Sequence, residues 1–357
     1  MNLHRWIVAT AFAIPVVCIA QTGQPKTFSQ AVETILSDPA FEHANLGIEL
    51  YSLDTKATVF SLNSSKLFTP GSTTKLLTEG TALQLLGPDY RFHTVVYRAG
   101  DIDKQGTLKG DFILVASGDP NLSNRVRADG TLAFTNEDHS YGGPDAEVVP
   151  GNPLTVLKEL AEQIFAHGIR KVEGQVLVDA SLFQAGIPEL GTGVIISPVS
   201  VNDNVVDLTI APGETEGAVA VIAVSPAVPW LTFENKITTG AQGTRLHISD
   251  PITRKKNADD TVTVSLTGSI PVGVKPYLIS YAVSDPVWFA ETLFARALSE
   301  RGISVEAPRK HVDIDSASMK RYYTGQNSVA EHVSPPLSEE AKVTLKVSQN
   351  LHASMTP

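Results

Sequence analysis

The stretch FTPGSTTKLLT, residues 68–78, decides the fold of this chain. Its proline and glycine break the preceding segment, and apolar residues then recur at helical spacing until Gly87 ends the pattern. This spacing predicts a helix that begins at Thr73. Ser72 therefore lies at the helix N-terminus, and Lys75 shares a helix face with it because residues three apart are neighbours on a helix.

The serine and the lysine form a pattern that suits nucleophilic chemistry. A serine hydroxyl is a poor nucleophile until a base removes its proton. We expect the packing of Leu76 and Leu77 to desolvate the Lys75 amine, and the N–H groups of the helix start to stabilise an oxyanion. The pattern predicts Ser72 as the nucleophile and Lys75 as its base. The alternative interpretation is a serine that caps the helix, followed by a solvated lysine.

A second serine and asparagine are needed to complete such a site, and two pairs compete for this role. Ser348 and Asn350 follow a predicted helix over residues 338–346, so they lie at a rigid helix-to-loop corner. Here the serine relays a proton to the leaving amine, and the asparagine holds the substrate amide. Ser200 and Asn202 precede an alternating stretch, and we interpret them as a turn before a strand. We therefore favour Ser348 and Asn350.

The first residues have the character of a secretory signal. Residues 1–20 combine a basic start, an apolar run and small residues at the expected cleavage position. The chain is therefore predicted to be exported, with a retained membrane anchor as the alternative. Cleavage would remove Cys18, the only cysteine, and this excludes a disulfide, a zinc-cysteine site and a thiol nucleophile from the mature chain.

Composition and charge exclude several classes of function. The formal net charge is −10, and the chain carries no basic stripe, so nucleic acid is not an expected partner. The nine histidines show no spacing typical of a metal site, so we predict no metal and no cofactor. Residues 130–152 lack an apolar period, and we interpret them as a long irregular surface loop.

Hydrophobic periodicity predicts a mixed fold. Helical patterns cover residues 28–37, 153–167 and 286–301 in addition to the helix after Ser72. A hairpin is predicted over residues 46–62, and short alternating strands with polar turns dominate the chain from Phe92 onward. At 357 residues, the chain is expected to form two or three compact units.

These motifs, taken in order, match one protein family. Nine segments of the chain, among them the stretches around Ser72 and Ser348, resemble the class C low-molecular-weight penicillin-binding proteins. These are D-alanyl-D-alanine carboxypeptidase/endopeptidases of the penicillin-binding protein 4 type. The similarity covers nearly the whole chain after its first residues. The segments that carry it are FTPGSTTKLLT (68–78), LLGPDYRF (85–92), LKGD (108–111), GDPNL (118–122), VEG (172–174), VD (178–179), SVNDN (200–204), SPPL (334–337) and KVSQNL (346–351).

The resemblance implies an α/β (α+β) penicillin-binding transpeptidase-like domain that is interrupted by a large, mainly β insertion. Residues 25–97 and 325–357 would form the domain, and residues 98–324 would form the insertion as two subdomains. The family's S-x-N motif would correspond to Ser348 and Asn350.

The implied activity is removal of the terminal D-alanine of peptidoglycan stem peptides and cleavage of their cross-links through an acyl-enzyme, with no cofactor or metal. β-Lactams would acylate the same serine. The implied location is periplasmic or otherwise extracytoplasmic. Membrane contact would be limited to the signal segment or to peripheral association.

One family motif is missing from the 357 residues. The third motif, K-T-G, would bind the substrate carboxylate and complete the oxyanion hole, and no such triplet occurs in the sequence. We therefore expect a chain that is truncated before this motif. The alternative function is a catalytically inactive periplasmic protein that binds peptidoglycan or serves as a scaffold.

Overall fold

The computed structural model describes residues 27–123, 125–248, 252–306 and 314–357. The predicted signal segment, residues 1–20, and Cys18 lie outside the described residues. None of the helices in the described ranges combines the length and the apolar character that crossing a bilayer requires. The helices are α1 (Phe28–Leu36), α2 (Thr74–Leu86), α3 (Thr155–Ala166), α4 (Pro286–Arg301), α5 (Ser316–Met319), α6 (Leu337–Val347) and α7 (Asn350–Met355).

The strands are short and concentrated in the middle of the chain. They are β1 (Ile48–Ser52), β2 (Ala57–Leu62), β3 (His93–Ile102), β4 (Thr107–Val115), β5 (Lys171–Val172), β6 (Val176–Asp179), β7 (Val205–Ala211), β8 (Val221–Ser225), β9 (Leu231–Gly240), β10 (His247–Ile248), β11 (Thr253–Lys256), β12 (Val262–Pro271), β13 (Tyr277–Ala282) and β14 (Ser328–Val333). The predicted mixed α/β fold is confirmed, and so are the predicted helices and the first hairpin.

The chain divides into two compact units, Met1–Pro70 and Gly71–Pro357. In the first unit, Thr27 and Gln30 form a capping box that begins α1, which satisfies two N–H groups of the helix start. Strands β1 and β2 pair antiparallel, with Ile48 opposite Leu62. The first unit therefore contains the predicted helix and hairpin, in that order.

The second unit is built around a sheet in which β3 is flanked by β14 and β4. These three strands are antiparallel, whereas β5 and β6 both run parallel to β4. Helix α3 packs against β14 and α4, and α4 packs against β6. The side chains of Phe112, Leu157 and Phe289 are fully buried where these layers meet. Burial of apolar surface at this depth is the main source of stability for the unit.

Two smaller sheets complete the second unit. Strand β7 lies between β13 and β8, and β12 pairs with β9, β10 and β11. Both sheets lie within the predicted β-rich region, residues 98–324. The predicted division of the chain at residues 97 and 325 stays a prediction; residue 97 lies inside β3, which pairs with β14.

The two ends of the second unit meet at α2. This helix packs against α6 and α7, which bring residues from the end of the chain beside the start of α2. Helix α4 begins at Pro286, as predicted, and the Asp285 side chain caps it by accepting a hydrogen bond from the Trp288 N–H. It ends at Gly302, whose left-handed φ of 92° favours glycine. The local signals in the sequence therefore set the helix bounds well.

Candidate active site

Ser72 lies in a single 3₁₀ turn, Gly71–Thr73, that leads directly into α2. Gly71 has a φ of 52°, a left-handed conformation that residues with a side chain rarely adopt. This turn follows the proline-glycine break and presents the exposed Ser72 at the start of the helix. The predicted position of Ser72 at a helix N-terminus is therefore confirmed.

Lys75 is the centre of the candidate site. Its side chain is buried, with the residue 8% exposed, and its Nζ donates to the Ser72 Oγ at 3.1 Å and to the Ser348 Oγ at 3.3 Å. The Nζ also donates to the Asn350 Oδ1 in a closer contact. One amine thus joins all the residues that the sequence analysis predicted for the site.

Burial lowers the pKa of Lys75, and the negative charges of Asp138, Glu189 and Glu79 oppose this shift. The lowered pKa favours the neutral amine, which is the form that can accept a proton. The predicted cause of the burial was wrong, because Leu76 and Leu77 are 62% and 73% exposed. The amine is covered instead where α2 packs against α6 and α7.

The S-x-N segment forms a corner at the end of α6, as predicted, but a second helix, α7, follows it where a loop was predicted. Helix α6 ends at Val347, and Ser348 adopts the left-handed conformation with a φ of 59° and a ψ of 39°. Gln349 then caps α7 through its side chain, which accepts a hydrogen bond from the Leu351 N–H. The sharp turn places the Ser348 hydroxyl and the Asn350 amide on the side of Lys75.

The Asn350 amide is held by two residues that the sequence analysis missed. Its Nδ2 donates to the Tyr141 Oη at 2.8 Å and to the Glu189 Oε1 at 2.7 Å. Because both amide hydrogens are used in this way, the Oδ1 is directed at Lys75. Tyr141 ends a 3₁₀ turn and Glu189 lies in an irregular segment, and their polar character among glycines and prolines is the only signal that the sequence offered.

The predicted surface loop of residues 130–152 is the main correction to the sequence analysis. The stretch is irregular except for a 3₁₀ turn, His139–Tyr141, but Asp138, His139 and Ser140 are buried. The Ser140 N–H and hydroxyl both donate to the Asp138 carboxylate, which closes the turn locally. The middle of the loop is therefore buried within the second unit, and it places Tyr141 beside Asn350.

An open cleft of about 340 Å³ runs past the candidate nucleophile. A cleft of this kind can receive the end of an extended peptide beside an exposed serine. Its walls come from the start of α2, the 130–152 loop and the S-x-N corner. The lining residues are Ser72, Asn136, Glu137, Asp138, Tyr141, Lys346, Val347, Ser348 and Asn350.

The competing pair, Ser200 and Asn202, has a different position. Asn202 begins a 3₁₀ turn before β7, and its Nδ2 donates to the Val205 carbonyl and to the Asp207 carboxylate. Ser200 is buried. The structure therefore brings Ser348 and Asn350 to Lys75, and it places Ser200 and Asn202 at the turn that the sequence analysis predicted for them.

Three buried side chains, Asp138, His139 and Asp203, offer metal-ligand atoms within 4.8 Å of one another. The Arg125 guanidinium already donates to the Asp203 carboxylate, and Gln349 donates to both carboxylates. The Arg125 charge neutralises one of the two carboxylates, and the donors use the Asp203 Oδ2 and the Asp138 Oδ1, whereas the Asp138 Oδ2 has no hydrogen-bond partner among the described residues. The described cluster therefore contains a buried ion pair between Arg125 and Asp203.

Comparison with known proteins supports the resemblance. The model of the D-Ala-D-Ala carboxypeptidase 3 (S13) family matches residues 28–356. The chain is similar to a D-alanyl-D-alanine carboxypeptidase of an Actinomadura species, with 26% identity over 359 residues, 96% of this chain and 59% of the relative. It is also similar to D-alanyl-D-alanine carboxypeptidase DacB of Haemophilus influenzae, with 22% identity over 98% of this chain and 63% of the relative.

The fold also has a solved counterpart. The crystal structure of penicillin binding protein 4 from Haemophilus influenzae matches with a TM-score of 0.60 and 19% identity, covering 87% of this chain and 61% of that chain. At this identity the match shows the fold alone. The chain spans about three-fifths of the length of the curated relatives named above. Because the family model matches nearly all of it, the chain belongs to the D-Ala-D-Ala carboxypeptidase 3 (S13) family.

Proposed function

We propose that the protein is a penicillin-binding serine D-alanyl-D-alanine carboxypeptidase/endopeptidase that acts through an acyl-enzyme on Ser72. The observation that carries this proposal is the position of the Lys75 Nζ, 3.1 Å from the Ser72 Oγ and 3.3 Å from the Ser348 Oγ. An amine that bridges two hydroxyls can remove a proton from one and return it through the other.

Acylation begins when the Ser72 Oγ attacks the carbonyl carbon between the last two D-alanine residues. The Lys75 Nζ takes the hydroxyl proton, and the carbonyl oxygen becomes an oxyanion near the N–H groups at the start of α2. The carbon–nitrogen bond then breaks. The leaving amine receives a proton from the Ser348 Oγ, and Lys75 returns its proton to Ser348, so that the base is again neutral.

Deacylation uses the same groups. A water molecule attacks the ester carbonyl, Lys75 accepts the proton of the water, and the Ser72 oxygen leaves with that proton. We assign Asn350 the role of holding the substrate amide, whose N–H would donate to the second lone pair of the Oδ1, because the side chain lines the cleft and both of its amide hydrogens are already used. Tyr141 and Glu189 fix the orientation of the Asn350 amide, so they are positioning residues in this mechanism.

Peptidoglycan stem peptides and their cross-links are the proposed substrates, and β-lactams are the proposed acylating inhibitors. The names of the relatives support the substrate class, and a solved form of the Haemophilus influenzae protein is described as a complex with a β-lactam. Substrates of this kind lie outside the cytoplasm. We therefore propose an exported, periplasmic or extracytoplasmic protein.

Covalent labelling tests the proposed function. Incubation with a fluorescent penicillin is expected to label the protein and to stop release of D-alanine from a peptide that ends in D-Ala-D-Ala. Ser72→Ala should abolish the label, whereas Ser299→Ala, at an exposed position on α4, should retain it. A folded protein that takes no label but still binds the peptide would instead identify a non-catalytic scaffold.

A further inference from the structure

The turn before β7 has an unusual backbone. Asn202, Asp203 and Asn204 have consecutive φ values of 50°, 51° and 56°, although none of them is glycine. All three are buried. Left-handed backbone at residues with a side chain persists only where the surrounding contacts fix it, and such strain is concentrated at functional sites.

The side chains of the two outer residues, Asn202 and Asn204, hold this turn in place. The Asn202 Nδ2 donates to the Val205 carbonyl at 3.0 Å and to the Asp207 Oδ2 at 2.9 Å. The Asn204 Nδ2 donates to the Val199 carbonyl at 3.1 Å, and the Asn204 Oδ1 accepts from the Val201 N–H at 3.2 Å. The outer residues of the turn are therefore used to fix its backbone, and the middle residue is left to make contacts elsewhere.

That middle residue, Asp203, has a fully buried carboxylate with cationic and amide partners. Arg125 donates to its Oδ2, and the His139 Nδ1 lies 3.1 Å from the same oxygen. The His352 Nε2 lies 3.0 Å from the Oδ1, and the Gln349 Nε2 donates to the Oδ2 at 3.2 Å. A buried charge with this many partners is ionised in the folded protein.

Two of these partners belong to the S-x-N corner. Gln349 lies between Ser348 and Asn350 in the sequence, and His352 lies in α7, which Asn350 begins. Gln349 also donates to the Asp138 Oδ1 at 2.8 Å, so it is held by two carboxylates. Asp203 therefore contacts the corner on both sides of Asn350.

We propose that Asp203 is a positioning residue for acylation. From the strained turn it fixes Gln349 and His352, so that the Ser348 hydroxyl and the Asn350 amide lie against Lys75. The corner needs such an anchor because Ser348 is itself left-handed and lies 273 residues from Lys75 in the chain. This inference rests on the proposed function, and it adds a residue that does not touch the reacting atoms.

The proposal predicts that small movements of the corner reduce the rate of acylation. A displacement of about 1 Å can lower a rate by roughly 10²-fold, because general acid–base catalysis needs contacts of hydrogen-bond length. Asp203→Asn keeps the shape of the side chain but removes the charge that orients Gln349 and His352. We expect the second-order rate of labelling by a fluorescent penicillin to fall by roughly 10- to 100-fold, with the remaining label still on Ser72.

The matched control is Asp207→Asn. Asp207 contacts the same turn through Asn202 and lies 3.6 Å from the His139 Nε2, and its hydrogen bonds among the described residues go to Asn202 and Ser280 and not to the S-x-N segment. We expect this variant to lose thermal stability and to keep the wild-type labelling rate. Equal labelling rates in folded Asp203→Asn and wild-type protein would overturn the proposal.

A readout that does not depend on activity separates this inference from the proposed function. The backbone amide resonances of Ser348 and Asn350 should shift or broaden in Asp203→Asn and stay unchanged in Asp207→Asn. Unchanged resonances in both variants would overturn the positioning role even if no form of the protein takes the label. Absence of label from wild-type protein, with the predicted resonance shifts, would overturn only the proposed function.

A second variant decides the outcome if Asp203→Asn does not fold. Gln349→Met matches the length of the side chain and removes the donors to Asp203 and Asp138 together with the acceptor that caps α7, but it leaves the pairs of Asp203 with Arg125 and His352 intact. The variant should fold and should label at least 10-fold more slowly than wild type. A wild-type labelling rate in Gln349→Met would contradict the proposal.

Discussion

The two halves of the candidate site are held in different ways. Ser72 and Lys75 lie one helical turn apart, and their geometry follows from the start of α2. Ser348 and Asn350 depend instead on side chains from distant parts of the chain, since Tyr141 and Asp203 hold the corner. The first half is local, whereas the second exists only in the folded unit. Variants that affect one half and not the other can therefore separate chemistry from positioning.

Removal of the base should have the largest effect on the local half. In Lys75→Met we expect the labelling rate by a fluorescent penicillin to fall by roughly 10²- to 10⁴-fold, because the general base is lost. The control is Lys158→Met on α3, where the lysine pairs with Glu300 at the surface at 2.9 Å. That variant should label at the wild-type rate. A Lys75→Met protein that labels normally would exclude lysine as the base.

The buried charges that hold the distant half, Ser348 and Asn350, should make the free energy of unfolding depend on pH. Burial alone would lower the pKa of His352, but Glu340 and Asp203 outweigh this and raise it to about 10. Glu79 and Asp119 also face the imidazole. Because the folded pKa lies above the ordinary value of about 6.5, the stabilisation is complete below pH about 6.5 and is lost as the pH rises through about 10.

Replacement of this histidine gives the corresponding prediction. His352→Gln should lower the free energy of unfolding at pH 6 by about 3–5 kcal/mol and flatten its fall between pH about 6.5 and 10. Urea unfolding at a series of pH values measures both effects. His332→Gln is the control, because burial lowers the pKa of His332 to about 4 and the residue is neutral in the same range. An unchanged alkaline slope in His352→Gln would show that the imidazole is uncharged.

Two variants at the partners of Asn350 should have smaller effects, and they separate the effect of a charge near Lys75 from that of a hydrogen bond to Asn350. Glu189 and Tyr141 both accept a hydrogen bond from the Asn350 amide. Of these two residues, Glu189 alone carries a charge that opposes the lowering of the Lys75 pKa by burial. Glu189→Gln should therefore lower the pKa of Lys75 further and move the acid limb of the labelling rate to lower pH. Tyr141→Phe should reduce the rate a few-fold without moving that limb. Coincident pH profiles for wild type and Glu189→Gln would contradict this reasoning.

This contrast also explains how far the sequence could predict the site. The break before Ser72 and the apolar spacing after it are local signals, so the helix start and the pairing with Lys75 were predicted correctly. The corner that carries Ser348 was predicted from the end of a helix. Its approach to Lys75, however, depended on the resemblance to a family, because no local pattern encodes a contact between residues 273 positions apart.

The positioning residues could not be predicted because irregular segments carry them. Tyr141 and Glu189 lie where no hydrophobic period exists, and Asp203 lies in a turn whose composition indicated only a turn. The buried pairs of Asp203 became visible only when distant segments were placed together. Single-sequence patterns report which residues share an element, and they do not report which irregular segments are buried against one another.

The exposed face of α2 gives the smallest expected effect and tests the correction made to the local half. Leu77 is 73% exposed, so Leu77→Ala removes little buried surface and should change the free energy of unfolding by no more than about 0.5 kcal/mol. The pH profile of labelling should also match that of wild type, because α6 and α7 cover the Lys75 amine. Leu337→Ala, at a fully buried position on α6, is the matched control and should cost about 2–5 kcal/mol. A pH profile displaced in Leu77→Ala would restore the predicted role of this leucine in desolvating the base.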